Sequence, residues 1–281
     1  MIRQLHAEDR SVFARMHTGI EDDYILHIFD RLVTGNSYLY GLFIEEQLVT
    51  IGGFTIFQNT YAMLGRLRTD TRYRGQNLST KLMETVIDKA FSIPEIQWVG
   101  ANTQEHNTSA RRVLTKLGLT PTATLHGATT QHPERLTNGS ERWSEITDKT
   151  EKLRWLEKAY TSSGNVFPYE CYYPFPATPS LFSEDDVANW RFFQNATEDR
   201  FFVAKKDQKK YHYVHLAYPW PDAADQPGLW ETVTTLFEEQ TKETGDLTYV
   251  WLDLTKEMAR TLPSDHPFDL PSPWILHGTY R

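Results

Sequence analysis

The sequence predicts a mixed α/β (α+β) protein in which one folding unit occurs twice, the second time in degenerate form. Three observations carry this. Strand, polar loop and helix follow one another between Tyr61 and Phe91. Around that stretch the first half alternates short strands with amphipathic helices. A constant shift of 151 residues then lays the apolar pattern of the first half on the second, so that Leu78, Leu82 and Val86 land on Leu229, Val233 and Phe237.

In chain order, Met1 to about His6 reads as a short strand, and Asp9 can cap a helix to about His17. After Gly19, Asp22 and Asp23 open a second helix whose Ile25, Ile28, Phe29 and Leu32 share a face, and Gly35-Asn36 end it. Strands Tyr38–Glu45 and Leu48–Phe57 follow, joined by a tight turn at Glu46-Gln47. The next strand runs from Tyr61 to about Thr69-Asp70, and from Leu78 the period changes to helical, with Leu82, Val86, Ile87, Ala90 and Phe91 on one face. Beyond Pro94 comes a strand, Ile96–Ala101, then a polar loop, Asn102–Asn107, then a helix with Ala110, Val113, Leu114 and Leu117 together, stopped by Gly118. A strand at about Thr122–Thr130 closes the unit.

Between the central strand and its helix lies Arg72-Tyr73-Arg74-Gly75-Gln76-Asn77. Gly75 and Asn77 adopt left-handed backbone angles cheaply, so such a loop can turn successive N–H groups toward one point. That point is also the start of a helix, where N–H groups lack partners and the dipole favours negative charge. Two arginines add positive charge. The product is a seat for a phosphate or pyrophosphate; the plain alternative is a strand-to-helix turn with solvated arginines.

This loop resembles the (Gln/Arg)-x-x-Gly-x-(Gly/Ala) motif of the GNAT N-acetyltransferase superfamily, with Asn77 where the family usually has Gly or Ala. Asn107-Thr-Ser-Ala110-Arg-Arg-Val-Leu114-Thr-Lys-Leu-Gly118-Leu119 is similar to that family's Asn-x-x-Ala-x-x-x-Tyr-x-x-x-Gly-Phe. The order of elements matches too. The resemblance implies a mixed, mostly antiparallel sheet flanked by helices and an acetyl-CoA-dependent N-acetyltransferase, with acetyl-CoA as cosubstrate and no metal. It assigns the cofactor to Arg72, Arg74, Gly75, Gln76, Asn77, Leu78 and Ser79, to the backbone at Leu67, Arg68 and Thr69 facing the thioester, and to Asn107 beside the pantetheine arm. Asn107 also reads as an N-cap. Leu114 stands where many members carry a tyrosine that protonates the leaving thiolate, which leucine cannot do.

Acetyl transfer to an amine also needs a base. Asp22 and Asp23 fall in the segment that lines the acceptor site in the family; as a pair they could attract an ammonium and raise one another's pKa, or simply cap a helix. His126 and the chain terminus after Arg281 are further candidates. The acceptor implied is a primary amine of a small molecule, amino acid or peptide. Asp23-Tyr24-Ile25 and the two-module plan resemble the branch containing histidine N-acetyltransferases. A CoA-binding sensor or interaction module without turnover is the rival that Leu114 favours.

The expected organisation is a catalytic domain over residues 1–135, a polar linker at about 131–150, and a degenerate copy over 151–281. The second half opens with a helix at about Lys149–Thr161, continues through a proline-rich, aromatic stretch at 165–182 that reads as irregular, and resumes with a capped helix from Ser183 through Phe193. Under the 151-residue shift Ile96, Trp98 and Val99 land on Leu247, Tyr249 and Val250, and Leu125-His126-Gly127 lands on Leu276-His277-Gly278. Arg72, Tyr73, Arg74 and Gly75 become Ala223, Ala224, Asp225 and Gln226, and Asn107 becomes Met258, so the copy should repel a pyrophosphate.

Composition is that of a soluble globular protein: 40% hydrophobic, 23% charged and a net charge of −8 from 29 basic and 37 acidic residues. That balance argues against nucleic acid, whose binders carry a net basic surface. The exception is the cluster Arg66, Arg68, Arg72 and Arg74, of which a cofactor pyrophosphate accounts for at least two. No 18-residue apolar run reads as a membrane span, and the polar opening at Met1–Asp9 is unlike a signal peptide. The single cysteine, Cys171, reads as buried filler and excludes an internal disulfide or a multi-thiolate zinc site. The expected location is the cytoplasm.

Overall fold

Strands β1 (Ile2–Gln4), β2 (Ser37–Ile44), β3 (Gln47–Phe57) and β4 (Tyr61–Thr69) form where alternating side chains find an apolar layer on each face. The computed structural model describes all 281 residues and divides into two units, taken separately below. Unit 1 comprises Met1–Thr103, Asn107–Thr122 and Leu276–Arg281. Its other elements are α1 (Arg10–Ala14), α2 (Tyr24–His27), α3 (Phe29–Leu32), α4 (Leu78–Phe91), β5 (Trp98–Gln104) and α5 (Thr108–Lys116).

The sheet of unit 1 runs β1-β2-β3-β4-β5 and then the last strand of the chain. Among β1–β5 pairing is antiparallel except between β4 and β5, which are parallel because α4 carries the chain back across the sheet. On one face Tyr40, Leu42, Val49 and Phe54 pack with Leu82, Met83, Val86 and Ala90 of α4. On the other, Leu39, Phe43, Leu48 and Ile51 pack with Phe13, Ile25, Phe29 and Leu32 from α1–α3. Each of these large apolar side chains contributes about 1.5–3 kcal/mol by leaving water.

Two irregularities shape the centre of that sheet. The register of β3 against β4 shifts between Ile51 and Gly53, and Arg66 on the opposing strand takes φ 59°, a bulge. Strands β4 and β5 pair only over Tyr61–Leu64 and Trp98–Ala101, although both continue, to Thr69 and Gln104. The bulge bends β4, and the two strands part beyond Leu64.

Unit 2 comprises Gln104–His106 and Ala123–Ile275. Its elements are β6 (Thr120–Thr130, within unit 2 from Ala123), β7 (Ser144–Ile146), α6 (Lys149–Leu156, prolonged by a π turn over Glu157–Thr161), β8 (Val166–Glu170), β9 (Tyr173–Pro176), α7 (Glu184–Asn189), β10 (Arg191–Gln194), β11 (Phe201–Gln208), β12 (His212–Ala217), α8 (Leu229–Thr244), β13 (Thr248–Thr255), α9 (Lys256–Thr261) and β14 (Trp274–Tyr280, within unit 1 from Leu276). The sheet order is β6-β13-β12-β11-β10-β7, with the one parallel pair, β12–β13, again bridged by a long helix. Residues of β12, β13 and α8, among them Leu216, Val250, Leu252, Trp230 and Val233, build its core.

Several expectations need correction. The closing strands are exchanged: β6 pairs with β13, from Val250↔Thr130 to Thr255↔Leu125, while Leu276–Arg281 belongs to unit 1. Boundaries at 1–135 and 151–281 therefore do not describe the units. Residues 131–150 are no linker, since β7 lies there and pairs with β10. The proline-rich stretch is ordered as the two-stranded ladder β8–β9, where Pro168 faces Pro174; a ladder with two free edges tolerates missing donors. The helix from Ser183 stops at Asn189, and Arg191–Gln194 is strand. No helix is long and apolar enough to cross a membrane.

Candidate active site

The parting of β4 and β5 opens a cavity of about 630 Å³ in unit 1. One end is the start of α4. Gly75 (φ 80°) and the N-cap Asn77 (φ 59°) are both left-handed, and no side chain caps the helix. Asn77 instead accepts from Lys116 Nζ through Oδ1 at 2.8 Å, so the first-turn N–H groups of α4 are not taken by a cap. No acidic residue stands in that first turn. Arg74, Gly75, Asn77, Leu78 and Ser79 line this end, and Arg74 is anchored by Nη2 donating to Thr18 O at 2.7 Å. An anion here meets unpaired N–H groups, a helix dipole and a guanidinium.

The middle is the edge of β4 at Leu67, Arg68 and Thr69, held by hydroxyls: Thr50 Oγ1 donates to Arg68 O at 2.6 Å, and Thr69 Oγ1 and Ser79 Oγ share a bond of 2.9 Å. Across the gap stand Asn102, Thr103 and the N-terminus of α5. Asn107 caps α5, its Oδ1 accepting from Ala110 N at 3.1 Å, and also lines the cavity. Leu114 forms part of the apolar wall, and the only phenol there is Tyr73, which donates to Gln47 Oε1 at 3.2 Å.

Nine of the eleven residues expected at the cofactor line this cavity; Arg72 and Gln76 do not. Arg72 is turned away by Asp70, donating from Nε at 2.9 Å and Nη2 at 2.7 Å to a carboxylate that also accepts from the backbone of His17 and Arg72. Arg68 lines the cavity, but its guanidinium holds Asp23 bidentately, at 2.7 and 3.1 Å. Arg66, on the bulge, keeps a free guanidinium.

The expected catalytic pair is not assembled. Asp23 is buried, caps α2 by accepting from Ile25 N, and is neutralised by Arg68. Asp22 is left-handed at φ 51°, 82% exposed, and bonded to His27 Nε2 at 2.6 Å. Neither lines the cavity, and adjacent positions on a turning backbone point these carboxylates apart. His126 lies in unit 2 with Nδ1 against Pro271 O. Arg281 is pinned to Phe91 O and Ile93 O, at the end of α4 remote from the loop, about 20 Å away along a 14-residue helix. No carboxylate and no imidazole lines the cavity. Arg66, read only as part of a basic cluster, and Asn102 and Thr103, read only as polar loop, also line the cavity; the bulge that presents Arg66 has no local signature beyond Gly65.

The counterpart in unit 2 is closed. Gly228 caps α8 at φ 78°, and a Cβ there would lie 1.9 Å from Glu141 O. Glu231, in the first turn, accepts from Asn138 N and Gly139 N, both at 2.7 Å, and Trp143 N donates to Thr232 Oγ1 at 2.8 Å. The chain itself occupies the helix start.

With this geometry in hand, comparisons with known proteins are informative. Residues 2–119 match the family described as Acetyltransferase (GNAT) family. The fold over the whole chain is similar to a putative acetyltransferase from Thermoplasma acidophilum, at 15% identity, TM-score 0.57 and full coverage of both chains. It is also similar to a GCN5-related N-acetyltransferase from Sphaerobacter thermophilus, at 14% identity and TM-score 0.60, covering all of this chain and 95% of the other. At such identities the likeness is one of fold. No curated protein sequence matches.

Proposed function

Residues 2–119 are a domain of the GNAT acetyltransferase family, and from that premise we propose that the chain is an acetyl-CoA-dependent N-acetyltransferase of the cytoplasm, catalytic in unit 1 alone. The uncapped start of α4 opening into the gap between β4 and β5 carries the reading. The pyrophosphate sits on the N–H groups of Gly75–Ser79 with Arg74 beside it. The pantetheine arm runs along Leu67–Thr69 with Asn107 opposite, and N–H groups of the parted β4 edge face the thioester oxygen as negative charge develops on it. The amine attacks the carbonyl carbon, the adduct nitrogen gives up its extra proton to water, the tetrahedral adduct collapses, and CoA leaves as thiolate. A thiol of ordinary pKa near 8.5 is a tolerable anionic leaving group, so water can protonate it where Leu114 cannot.

The acceptor follows from what the wall lacks. With no carboxylate or imidazole there and three arginines present, an ammonium is neither attracted nor deprotonated by the protein. The acceptor amine therefore arrives neutral. The α-amine of a peptide, with a pKa near 8, is neutral roughly 300-fold more often at pH 7 than a lysine side chain near 10.4. A peptide α-amine fits best, with a carboxylate of the same substrate meeting Arg66.

Release of free CoA over an amine panel tests this. Turnover with α-amines and little with α-blocked lysine supports it. Tight acetyl-CoA binding with no turnover on any amine would favour the rival, a CoA-responsive module, which Leu114 also suits.

A further inference from the structure

Unit 2 buries a polar cluster that acetyl transfer does not use. His215 on β12 is fully buried, and its Nε2 lies 2.8 Å from Asp253 Oδ2 on β13. Trp251 Nε1 donates to the same oxygen at 3.0 Å, which fixes the carboxylate. With Nε2 engaged by Asp253, His215 Nδ1 is buried without a hydrogen-bond partner. With Asp253 ionised, Nε2 is the donor and Nδ1 carries a lone pair. A buried acceptor with nothing to accept is costly, about 1–3 kcal/mol, and calls for a partner.

Two other donor groups converge there. Cys171, fully buried in the turn between β8 and β9, donates its backbone N–H to Asp207 Oδ2 on β11 at 2.7 Å. One ligating atom each from Cys171, Asp207 and His215 lies within 4.8 Å of the others.

We propose that Cys171, Asp207 and His215 form a site for a borderline transition-metal dication, Zn²⁺ fitting best, with Asp253 as the carboxylate that orients His215. A sulfur, a nitrogen and an oxygen donor suit zinc, whereas magnesium and calcium take oxygen sets. Ligands of a tetrahedral zinc stand about 3.3–3.8 Å apart, so from separations within 4.8 Å the three must close by at most about 1–1.5 Å, leaving the fourth position to water. A carboxylate behind a ligating histidine fixes its tautomer.

The charged surroundings are accounted for. Lys209 pairs with Glu170 at 2.7 Å and Asp207 at 3.2 Å. Lys205, buried, donates to Pro168 O and Tyr169 O. A cavity of about 320 Å³ has Asp207 in its wall, together with Glu170, Lys205 and Lys209, and does not reach Cys171 or His215. Bound metal would tie the β8–β9 turn to β11 and β12, a structural role independent of acetyl transfer.

The test is Co²⁺ titration of the full chain after chelation, followed by Zn²⁺. One Co²⁺ per chain, a thiolate-to-cobalt charge-transfer band and displacement by Zn²⁺ are expected. Cys171→Ser should abolish the band. Asp253→Asn should keep it but weaken binding about 10- to 100-fold. No stoichiometric uptake by the wild-type chain, or uptake without the thiolate band, overturns the proposal, and both readings are made on the unmutated protein, so a misfolded variant cannot obscure them.

Discussion

Asn77 and Gly228 stand 151 positions apart, and each starts the long helix of its unit from a left-handed backbone, at φ 59° and 78°. Ahead of Asn77 is an open cavity; ahead of Gly228 is the carbonyl of Glu141. One helix start has kept its unpaired N–H groups available, and the other is covered by residues 138–143 and carries Glu231 in its first turn.

That contrast gives opposite sensitivities. Asn77→Gly loses one exposed contact to Lys116 and relieves a left-handed non-glycine, so stability should change by less than about 1 kcal/mol and acetyl-CoA affinity by less than about threefold. Gly228→Ala must displace backbone at Glu141 and should lower stability by about 2 kcal/mol or more. Urea unfolding of both variants measures this; equal effects would contradict it.

The carboxylates at 22 and 23 should also differ. Asp22→Asn should leave both turnover and stability near wild type, because the side chain is solvated beside His27. Asp23→Asn removes the partner of Arg68 and weakens the α2 cap, and should cost about 2 kcal/mol of stability without changing the pH dependence of turnover. A shifted pH–rate profile in Asp23→Asn would restore it as a base.

Arg66 has a free guanidinium on the bulge. Arg66→Gln should raise KM for a carboxylate-bearing amine about tenfold while leaving acetyl-CoA affinity unchanged. Steady-state kinetics with a dipeptide and its C-terminal amide separate the cases; equal loss on both would remove the carboxylate contact.

Acid should weaken unit 1 through Asp70. The Arg72 guanidinium, with backbone N–H groups of Arg72 and His17 assisting, holds this buried carboxyl well below its ordinary 3.8. A depressed folded pKa means the unfolded chain takes up the proton first, so the contribution is complete above about pH 4–5 and is lost as pH falls through 3.8 and below. Asp70→Asn should cost about 1–2 kcal/mol at pH 7, limited because Arg72 is half exposed, and should flatten the pH dependence of the melting temperature below pH 4.

How far the sequence could be read follows from what is local. The turn into α4 was legible because left-handed residues, a helix start and apolar periodicity are all encoded within a few positions of Gly75. The copy was legible because helix starts coincide, at Leu78 and Leu229. The destiny of the arginines was not, since Asp70 and Asp23 compete for Arg72 and Arg68 only in the folded chain. The exchange of closing strands was illegible for a sharper reason: β6 and β14 carry the same Leu-His-Gly core, at 125–127 and 276–278, so neither strand announces which sheet it will join. The three-residue β7 is too short for periodicity to separate it from a linker.

Calorimetric titration of the full chain with acetyl-CoA tests the central claim most directly. One site per chain is expected, with Arg74→Glu weakening it at least tenfold as attraction becomes repulsion, while circular dichroism stays unchanged. Two sites per chain, or unaltered affinity in a folded Arg74→Glu variant, would contradict it.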